Sequence, residues 1–247
     1  MSSHFLRQNK KGLVSFLLVI FSGCISIQSK AQSRDGINLP DTDDKFYHLG
    51  IALIYNNSHF QVTPHPNLLL NDSVLYVNPE NTGGFGLAGM HTFNLSKHWE
   101  FRIVFPELMF SYKNLTYSTT FPNGQQTTAT KQIESILLGF PIQIKFMSDR
   151  MHNFRFYVLG GVNYQYDLAS NATARKADDL VKLNPYDWSI EAGIGFQFFF
   201  PVFILSPEIK LSNGIINVHH RDPNLIYSST IDQLKSRMVV FSLIFEG

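Results

Sequence analysis

Residues 186–200 read YDWSIEAGIGFQFFF, and two kinds of side chain alternate along the whole stretch. The even positions from Tyr186 to Phe200 are all apolar, whereas the odd positions from Asp187 to Gln197 are polar or glycine. A period of two is typical of a β-strand, because successive side chains point to opposite faces of a sheet. The stretch therefore predicts a strand with one apolar, largely aromatic face and one polar face.

The same alternation recurs along the chain and gives eight candidate strands. It is clear in residues 138–146 and 154–168 and weaker in residues 46–56, 84–95, 98–112, 203–214 and 237–246. In residues 98–112 the apolar face changes parity at Pro106, which predicts a β-bulge. An even number of strands with an apolar outer face is typical of a barrel in the bacterial outer membrane. We therefore predict an all-β fold, an eight-stranded antiparallel transmembrane β-barrel of the outer-membrane type.

The connections between these segments alternate in length. Residues 57–83, 113–130, 169–185 and 215–236 are long and polar, whereas residues 94–97, 148–153 and 200–202 are tight. Barrels inserted from one side have short periplasmic turns and long extracellular loops, so both chain ends are expected in the periplasm. A soluble β-sandwich, the alternative for alternating strands, would not show this strict pattern.

Composition excludes several other classes of protein. The chain has 20 Lys and Arg against 19 Asp and Glu, so no nucleic-acid partner is expected. Aromatic residues make up 14% of the chain, which is incompatible with disorder. Beyond the first thirty positions no apolar run approaches the ~18 residues that a membrane helix needs.

The first 31 residues are predicted to be a cleaved signal peptide. Arg7, Lys10 and Lys11 precede an apolar stretch from 13 to 27, and Ala31 supplies a small residue for cleavage. An alternative is a lipoprotein signal that would place a lipid on Cys24, the one cysteine of the chain. Residues 32–45 are then a periplasmic N-terminal segment, and residues 46–247 form the barrel.

The inward face of the predicted barrel carries charges of both signs. Five acids and four bases share it: Glu100, Arg102, Glu107, Lys145, Arg155, Asp167, Glu191, Glu208 and Lys210. Eight strands enclose only enough room for side chains. We predict a structural network of ion pairs, in which Glu191→Leu weakens the barrel by leaving a base unpaired. A path for protons or ions is the alternative.

Candidate catalytic groups are sparse and lie in the predicted loops. They are His219, His220 and Asp222 in the last loop and His59, His65, Asp72 and Ser73 in the first. Adjacent histidines point to opposite sides of an extended chain and make a poor metal pair. No phosphate-binding or zinc motif accompanies them, so we expect no enzyme, no cofactor, no metal and no small-molecule substrate.

Several stretches resemble the PorT proteins, also called SprT, of the type IX secretion system of gliding and periodontal Bacteroidetes. They are KFYHLGIAL at 45–53, LNDSVLYV at 70–77, NFRFYVLGGVNYQYDLAS at 153–170, SPEIKLSNG at 206–214 and IDQLKSR at 231–237. The resemblance implies an integral outer-membrane protein that is needed to export cargo with C-terminal sorting domains, and also for gliding.

An eight-stranded lumen is too narrow for a folded protein, so such a barrel is not the export channel itself. We therefore expect an accessory or assembly component, with outer-membrane lipid and other secretion components as its partners. The alternative is a free-standing small barrel with a structural or adhesive function in its loops.

Overall fold

The computed structural model describes residues 36–66, 74–120, 126–170, 181–221 and 225–247. The predicted signal peptide with Cys24, and the candidates Asp72, Ser73 and Asp222, lie outside these ranges. A 3-10 turn at Pro40–Thr42 precedes nine strands. These are β1 (Tyr47–Pro64), β2 (Val74–Glu80), β3 (Thr82–Asn94), β4 (Trp99–Thr120), β5 (Gln126–Met147), β6 (Phe154–Asp167), β7 (Tyr186–Phe199), β8 (Ile204–Gly214) and β9 (Ile231–Glu246), with a short helix at Ile226–Ser229 before β9.

The strands close into a ring of eight antiparallel neighbours, as predicted. The order is β4-β3-β1-β9-β8-β7-β6-β5, and β5 pairs again with β4. β2 does not add a ninth position, because β2 and β3 pair with successive parts of the same strand, β4. The ring is sealed by β1 and β9, whose pairing runs from Gly50 and Glu246 to Pro64 and Ile231.

The wall of the ring has an apolar outside and a polar inside. In β7, Trp188, Ile190 and Ile194 are exposed, whereas Ser189 and Glu191 are buried. This is the alternation that the sequence shows, and it places the apolar face toward lipid. A closed ring pairs the strands on both sides, which hydrocarbon requires because it offers no partner to a free N–H or C=O group.

The predicted bulge at Pro106 is confirmed. The register of β4 against β5 shifts between Ile103 and Glu107, so consecutive outward positions occur at Phe105 and Pro106. Arg102 therefore points inward before the shift and Glu107 after it. The bulge keeps charged side chains in the lumen along the whole length of β4.

The strands of the extracellular half are longer than predicted. β1 continues to Pro64, β4 to Thr120 and β5 starts at Gln126, so much of the predicted loops 57–83 and 113–130 is strand. β9 likewise starts at Ile231, inside the predicted loop 215–236. The tract from Leu115 to Thr120 is rich in threonine, a β-branched residue that favours strands. Above the membrane its outer face is polar, so no apolar period of two revealed it.

Both ends of the barrel are closed by parts of the chain. At the extracellular end, strand extensions and loop residues form a hydrophobic group that we call the outer cap: Phe60, Val74, Leu115, Tyr117, Val181, Leu183, Val218, Ile231 and Leu234. At the periplasmic end, residues 38–43 contact the short turns through hydrogen bonds described below. No helix in the described ranges is long and apolar enough to cross a membrane.

Candidate functional site: the filled lumen and its two ends

Arg102 organises the charges near the periplasmic end of the lumen. Its guanidinium lies 2.8 Å from Glu208 Oε2 and 3.5 Å from Glu246 Oε1, and all three side chains are buried. The hydroxyl of Tyr157 donates a second hydrogen bond, of 2.7 Å, to Glu208. Because β4, β8 and β9 supply the three charges, the ion pairs tie distant parts of the ring together across its interior.

Lys145 belongs to the same group of charges near the periplasmic end. Its ammonium donates to Glu100 Oε2 at 2.5 Å and lies 4.3 Å from the centre of the Tyr157 ring. Tyr157 fits because β7 has a glycine at position 195: a Cβ there would overlap the phenol. The size of the Tyr157 side chain thus explains why β7 has a glycine at this inward position.

A second group of charges lies farther toward the extracellular side. The Lys210 ammonium is 3.0 Å from Glu191 Oε2 and 3.7 Å from Glu107 Oε1. Asn163 donates to both carboxylates at 3.2 Å, and Gln143 donates to Glu191 at 2.8 Å. Two acids thus share one base and two amides. Removing Glu191 alone leaves Lys210 beside Glu107, so the expectation that Glu191→Leu would leave a base unpaired is wrong.

Asp167 and Arg155 are also buried, but they serve the two ends of the barrel. The Asp167 carboxylate accepts the N–H groups of Ile136 at 3.2 Å and Ala169 at 2.9 Å, where the pairing of β5 with β6 ends. Arg155 forms an ion pair with Asp43 in the N-terminal segment. In the part of the chain that the structure describes, neither side chain lies within ion-pair distance of another member of the predicted network.

The N-terminal segment is attached to the periplasmic turns by several contacts, which we call the inner cap. The N–H of Asn38 donates to Asn153 Oδ1 at 2.7 Å, and Asn38 Nδ2 donates to the Phe199 carbonyl at 2.9 Å. Arg150 donates to the carbonyls of Asn38 and Leu39, and its guanidinium carbon stands 3.6 Å from the centre of the Phe199 ring. Residues 38–43 of the predicted periplasmic segment are therefore folded onto the barrel.

The inward charges have little contact with solvent. Asp167, at 8%, is the most exposed of the nine predicted residues, and Arg102 and Lys145 are at 0%. Ion pairs and hydrogen bonds join most of these buried charges to one another. The geometry is that of a lumen filled by paired side chains.

Sequence reasoning missed several charged or titratable groups in this arrangement. His48 and Glu246 are both buried, with His48 Nε2 3.8 Å from Glu246 Oε1. Asp43 pairs with Arg155 from the N-terminal segment, and Lys113 is buried below the outer cap. The inward position of Glu246 could have been predicted, because it follows the outward-facing Phe245 in an alternating strand. The position of Asp43 could not, because the segment that carries it has no periodicity.

The histidines of the loops do not form an open catalytic group in the described ranges. His219 Nε2 lies 3.0 Å from Ser228 Oγ, but both residues are buried. Burial lowers the pKa of His219 to about 4, so the ring is neutral at physiological pH. His220 is exposed on the opposite side of the backbone. Across the described ranges, no group of three or more His, Cys, Asp or Glu side chains could hold a metal ion.

The lipid-facing wall has a shallow apolar groove of about 500 Å³ around Pro207. Leu53, Tyr55, Phe196 and Leu243 line it. Proline has no N–H, and the pairing of β7 with β8 is interrupted between Gly195 and Phe198, opposite Pro207. The groove therefore coincides with the weakest part of the ladder between these two strands.

Comparison with known families gives a match over most of the chain. Residues 30–220 match the model of the family described as outer membrane protein beta-barrel domain. No curated protein matches the chain.

Several solved structures are similar in fold. The outer membrane protein OprG from Pseudomonas aeruginosa is 14% identical, with a TM-score of 0.42, over 80% of this chain and 94% of OprG. The attachment invasion locus protein Ail of Yersinia pestis, in complex with the heparin analogue sucrose octasulfate, is 12% identical, with a TM-score of 0.37, over 82% of this chain and 100% of Ail. Neisserial surface protein A is 10% identical, with a TM-score of 0.35, over 79% of this chain and 95% of its own.

Proposed function

Since the chain belongs to the family of outer membrane protein beta-barrel domains, we propose that it is an integral outer-membrane accessory component of the type IX secretion machinery. In this role it supports the export of cargo with C-terminal sorting domains, and gliding, without being the export channel and without enzymatic activity. The part that concerns secretion rests on the resemblance of residues 45–53, 70–77, 153–170, 206–214 and 231–237 to the PorT proteins.

The structural observation that supports an accessory role, and not a channel, is the filled lumen. The ion pairs of Arg102, Lys145 and Lys210 cross the interior, and both ends are covered by the chain. A polypeptide would have to displace these buried charges to pass, and separating each buried pair costs several kcal/mol. A function of this barrel in export is therefore exerted through its outer surfaces.

Three surfaces are available for contact with other secretion components. The lipid-facing wall has the groove at Pro207, the periplasmic end presents the inner cap, and the extracellular end presents the outer cap with the β4–β5 hairpin. The inner cap is held by its own hydrogen bonds at Asn38 and Arg150, so it offers a rigid surface and not a free tail. Lipid of the outer membrane covers the remaining wall.

Deletion of the gene with plasmid complementation tests the proposal. Cell fractionation then asks whether proteins with the C-terminal sorting domain reach the cell surface. Accumulation of these proteins in the periplasm, released by complementation, is the expected result. Unchanged export in the deletion strain would contradict the proposal.

The second candidate is a free-standing barrel with an adhesive extracellular end. The observation in its favour is the length of β4 and β5, which pair from Glu107 and Gly139 to Thr120 and Gln126, so the hairpin continues beyond the apolar band. Replacement of residues 111–135 by a short turn would then abolish binding to surfaces while export continued. A loss of export in that variant would favour the secretion role instead.

A further inference from the structure

The groove around Pro207 lies at one level of the wall and crosses neighbouring strands. Leu53 of β1 is opposite Leu243 of β9, and Leu243 is opposite Pro207 of β8. All three lie at outward positions, and the next outward residues of each strand, in both directions, are apolar or aromatic. The groove therefore opens to the hydrocarbon of the membrane.

Two cations lie above the groove on β9. Toward the extracellular end, the outward positions of this strand change from Phe241 and Val239 to Arg237 and Lys235. His59 of β1 is opposite Arg237 in the ladder. Since a strand rises about 3.4 Å per residue, Arg237 lies roughly 13 Å from Phe241, which lines the groove. Arg237 and Lys235 are thus placed where the hydrocarbon ends and the lipid head groups begin.

The position of Arg237 and Lys235 sets them apart from the other cations of the described strands. Those others all lie on the inward face: Arg102, Lys113, Lys131, Lys145, Arg155 and Lys210. Neither Arg237 nor Lys235 forms an ion pair with a described residue, and no outward position of β1, β8 or β9 carries an acid. Within the described strands, the outer wall therefore carries its positive charge directly above the groove.

We propose that this part of the wall binds a phosphorylated lipid of the outer leaflet, with an acyl chain in the groove and a phosphate at Arg237 and Lys235. Both side chains bind phosphate through charge-assisted hydrogen bonds, and the arginine can form two in parallel. His59 and Asn213 flank Arg237 in the ladder and add hydrogen-bonding groups. The groove contacts the chain on several sides, which a convex barrel surface cannot do.

A lipid with both parts matches this surface better than either part alone. A free phosphate would leave the groove to bulk lipid, and a lipid without net charge would leave the two cations unpaired. The inference is independent of the secretion role. With a lipid in the groove, the inner cap and the outer cap remain as the surfaces for protein partners.

Native mass spectrometry of the full barrel, purified in detergent, tests the proposal. Lipid A, a phosphorylated glycolipid, is the probe, and phosphatidylcholine, which has acyl chains but no net charge, is the comparison. We expect the barrel to bind lipid A about tenfold more tightly than phosphatidylcholine, which is the effect of one charge-assisted hydrogen bond.

A pair of glutamine variants tests the head-group site. Arg237→Gln removes the charge above the groove, and Lys97→Gln removes an exposed charge at a periplasmic turn. The first should weaken lipid A binding about tenfold, and the second should leave it unchanged. Both residues are on the surface, so both variants should keep the heat-modified gel mobility of a folded barrel.

A pair of tryptophan variants tests the groove. Leu243→Trp fills the groove, whereas Leu49→Trp adds the same side chain at an outward position of β1 outside it. Leu243→Trp should weaken lipid A binding about threefold, the effect of losing roughly five carbon–carbon contacts. Leu49→Trp should bind like the parent.

Four results would each overturn the proposal. They are no bound lipid A, equal binding of lipid A and phosphatidylcholine, equal affinity of the two glutamine variants, and equal affinity of the two tryptophan variants. Normal export in the deletion strain would remove the proposed function and leave all four measurements as they are.

Discussion

Replacement of Arg102 by methionine tests how the lumen is held together. Arg102 is 0% exposed and lies within 4 Å of two buried carboxylates, those of Glu208 and Glu246. Methionine fills a similar volume but leaves both carboxylates without their guanidinium. Breaking a buried ion pair from one side costs about 3–5 kcal/mol, because the remaining charge is uncompensated. We expect Arg102→Met to lower the free energy of unfolding by that amount.

Urea unfolding of the barrel in lipid vesicles, followed by heat-modified gel mobility, measures this change. With a urea dependence of about 2–3 kcal/mol per molar, the midpoint should fall by about 1–2.5 M. The matched double variant, Arg102→Met with Glu208→Gln, removes one of the two stranded charges while the amide keeps a hydrogen bond from Tyr157. The double variant should regain part of the free energy of unfolding that Arg102→Met removes. An unchanged midpoint for Arg102→Met, or a double variant less stable than the single one, would refute the role assigned to this ion pair.

Three further predictions concern other parts of the barrel. Glu191→Leu should lower the free energy of unfolding by about 1–3 kcal/mol, which is less than Arg102→Met does, because Lys210 keeps Glu107 as a partner. Equal urea midpoints for the two variants would contradict this. Gly139→Ala should lower the midpoint, since its Cβ would overlap the Glu107 carboxylate, and in a Glu107→Ala background it should lower the midpoint much less. The pKa of His219 is lowered to about 4 by burial, so the outer cap should lose stability as the pH falls from about 6.5 toward 4. Protection factors of the cap amides at pH 7 and pH 5, which correct for the pH dependence of intrinsic exchange, measure this, and His219→Gln should remove the dependence; protection that is equally pH-dependent in both proteins would count against it.

The membrane-embedded part of the fold was predictable from sequence because lipid imposes a simple rule there. An outward side chain must be apolar and an inward one need not be, so β7 and β6 are visible as alternating stretches. The phase slip at Pro106 was visible for the same reason, since it moves Leu108 and Phe110 onto the outer face. Within this zone the parity of a residue determines the side on which it lies.

Outside the membrane that rule no longer applies, and prediction failed accordingly. The continuation of β4 beyond Tyr112 has threonine on its outer face, so it was assigned to a loop. The outer cap depends on apolar residues from six separate segments, such as those of Phe60 and Val218, whose proximity follows only from the closed ring. The partners of Arg155 and Asp167 were unpredictable for the same reason, because each is bound by the chain at one end of the barrel.

The pairing of β1 with β9 has a consequence for biogenesis. These strands come from opposite ends of the barrel sequence, Tyr47–Pro64 and Ile231–Glu246, and the ring has no stable closed form without both. Contacts so distant in sequence form slowly, and a chain still emerging from the ribosome cannot make them. The polypeptide must therefore travel to the membrane with its apolar strands unpaired, in a state that aggregates unless a holding factor binds it. Shortening the chain by its last strand should convert the protein from a membrane resident into a substrate for proteolysis.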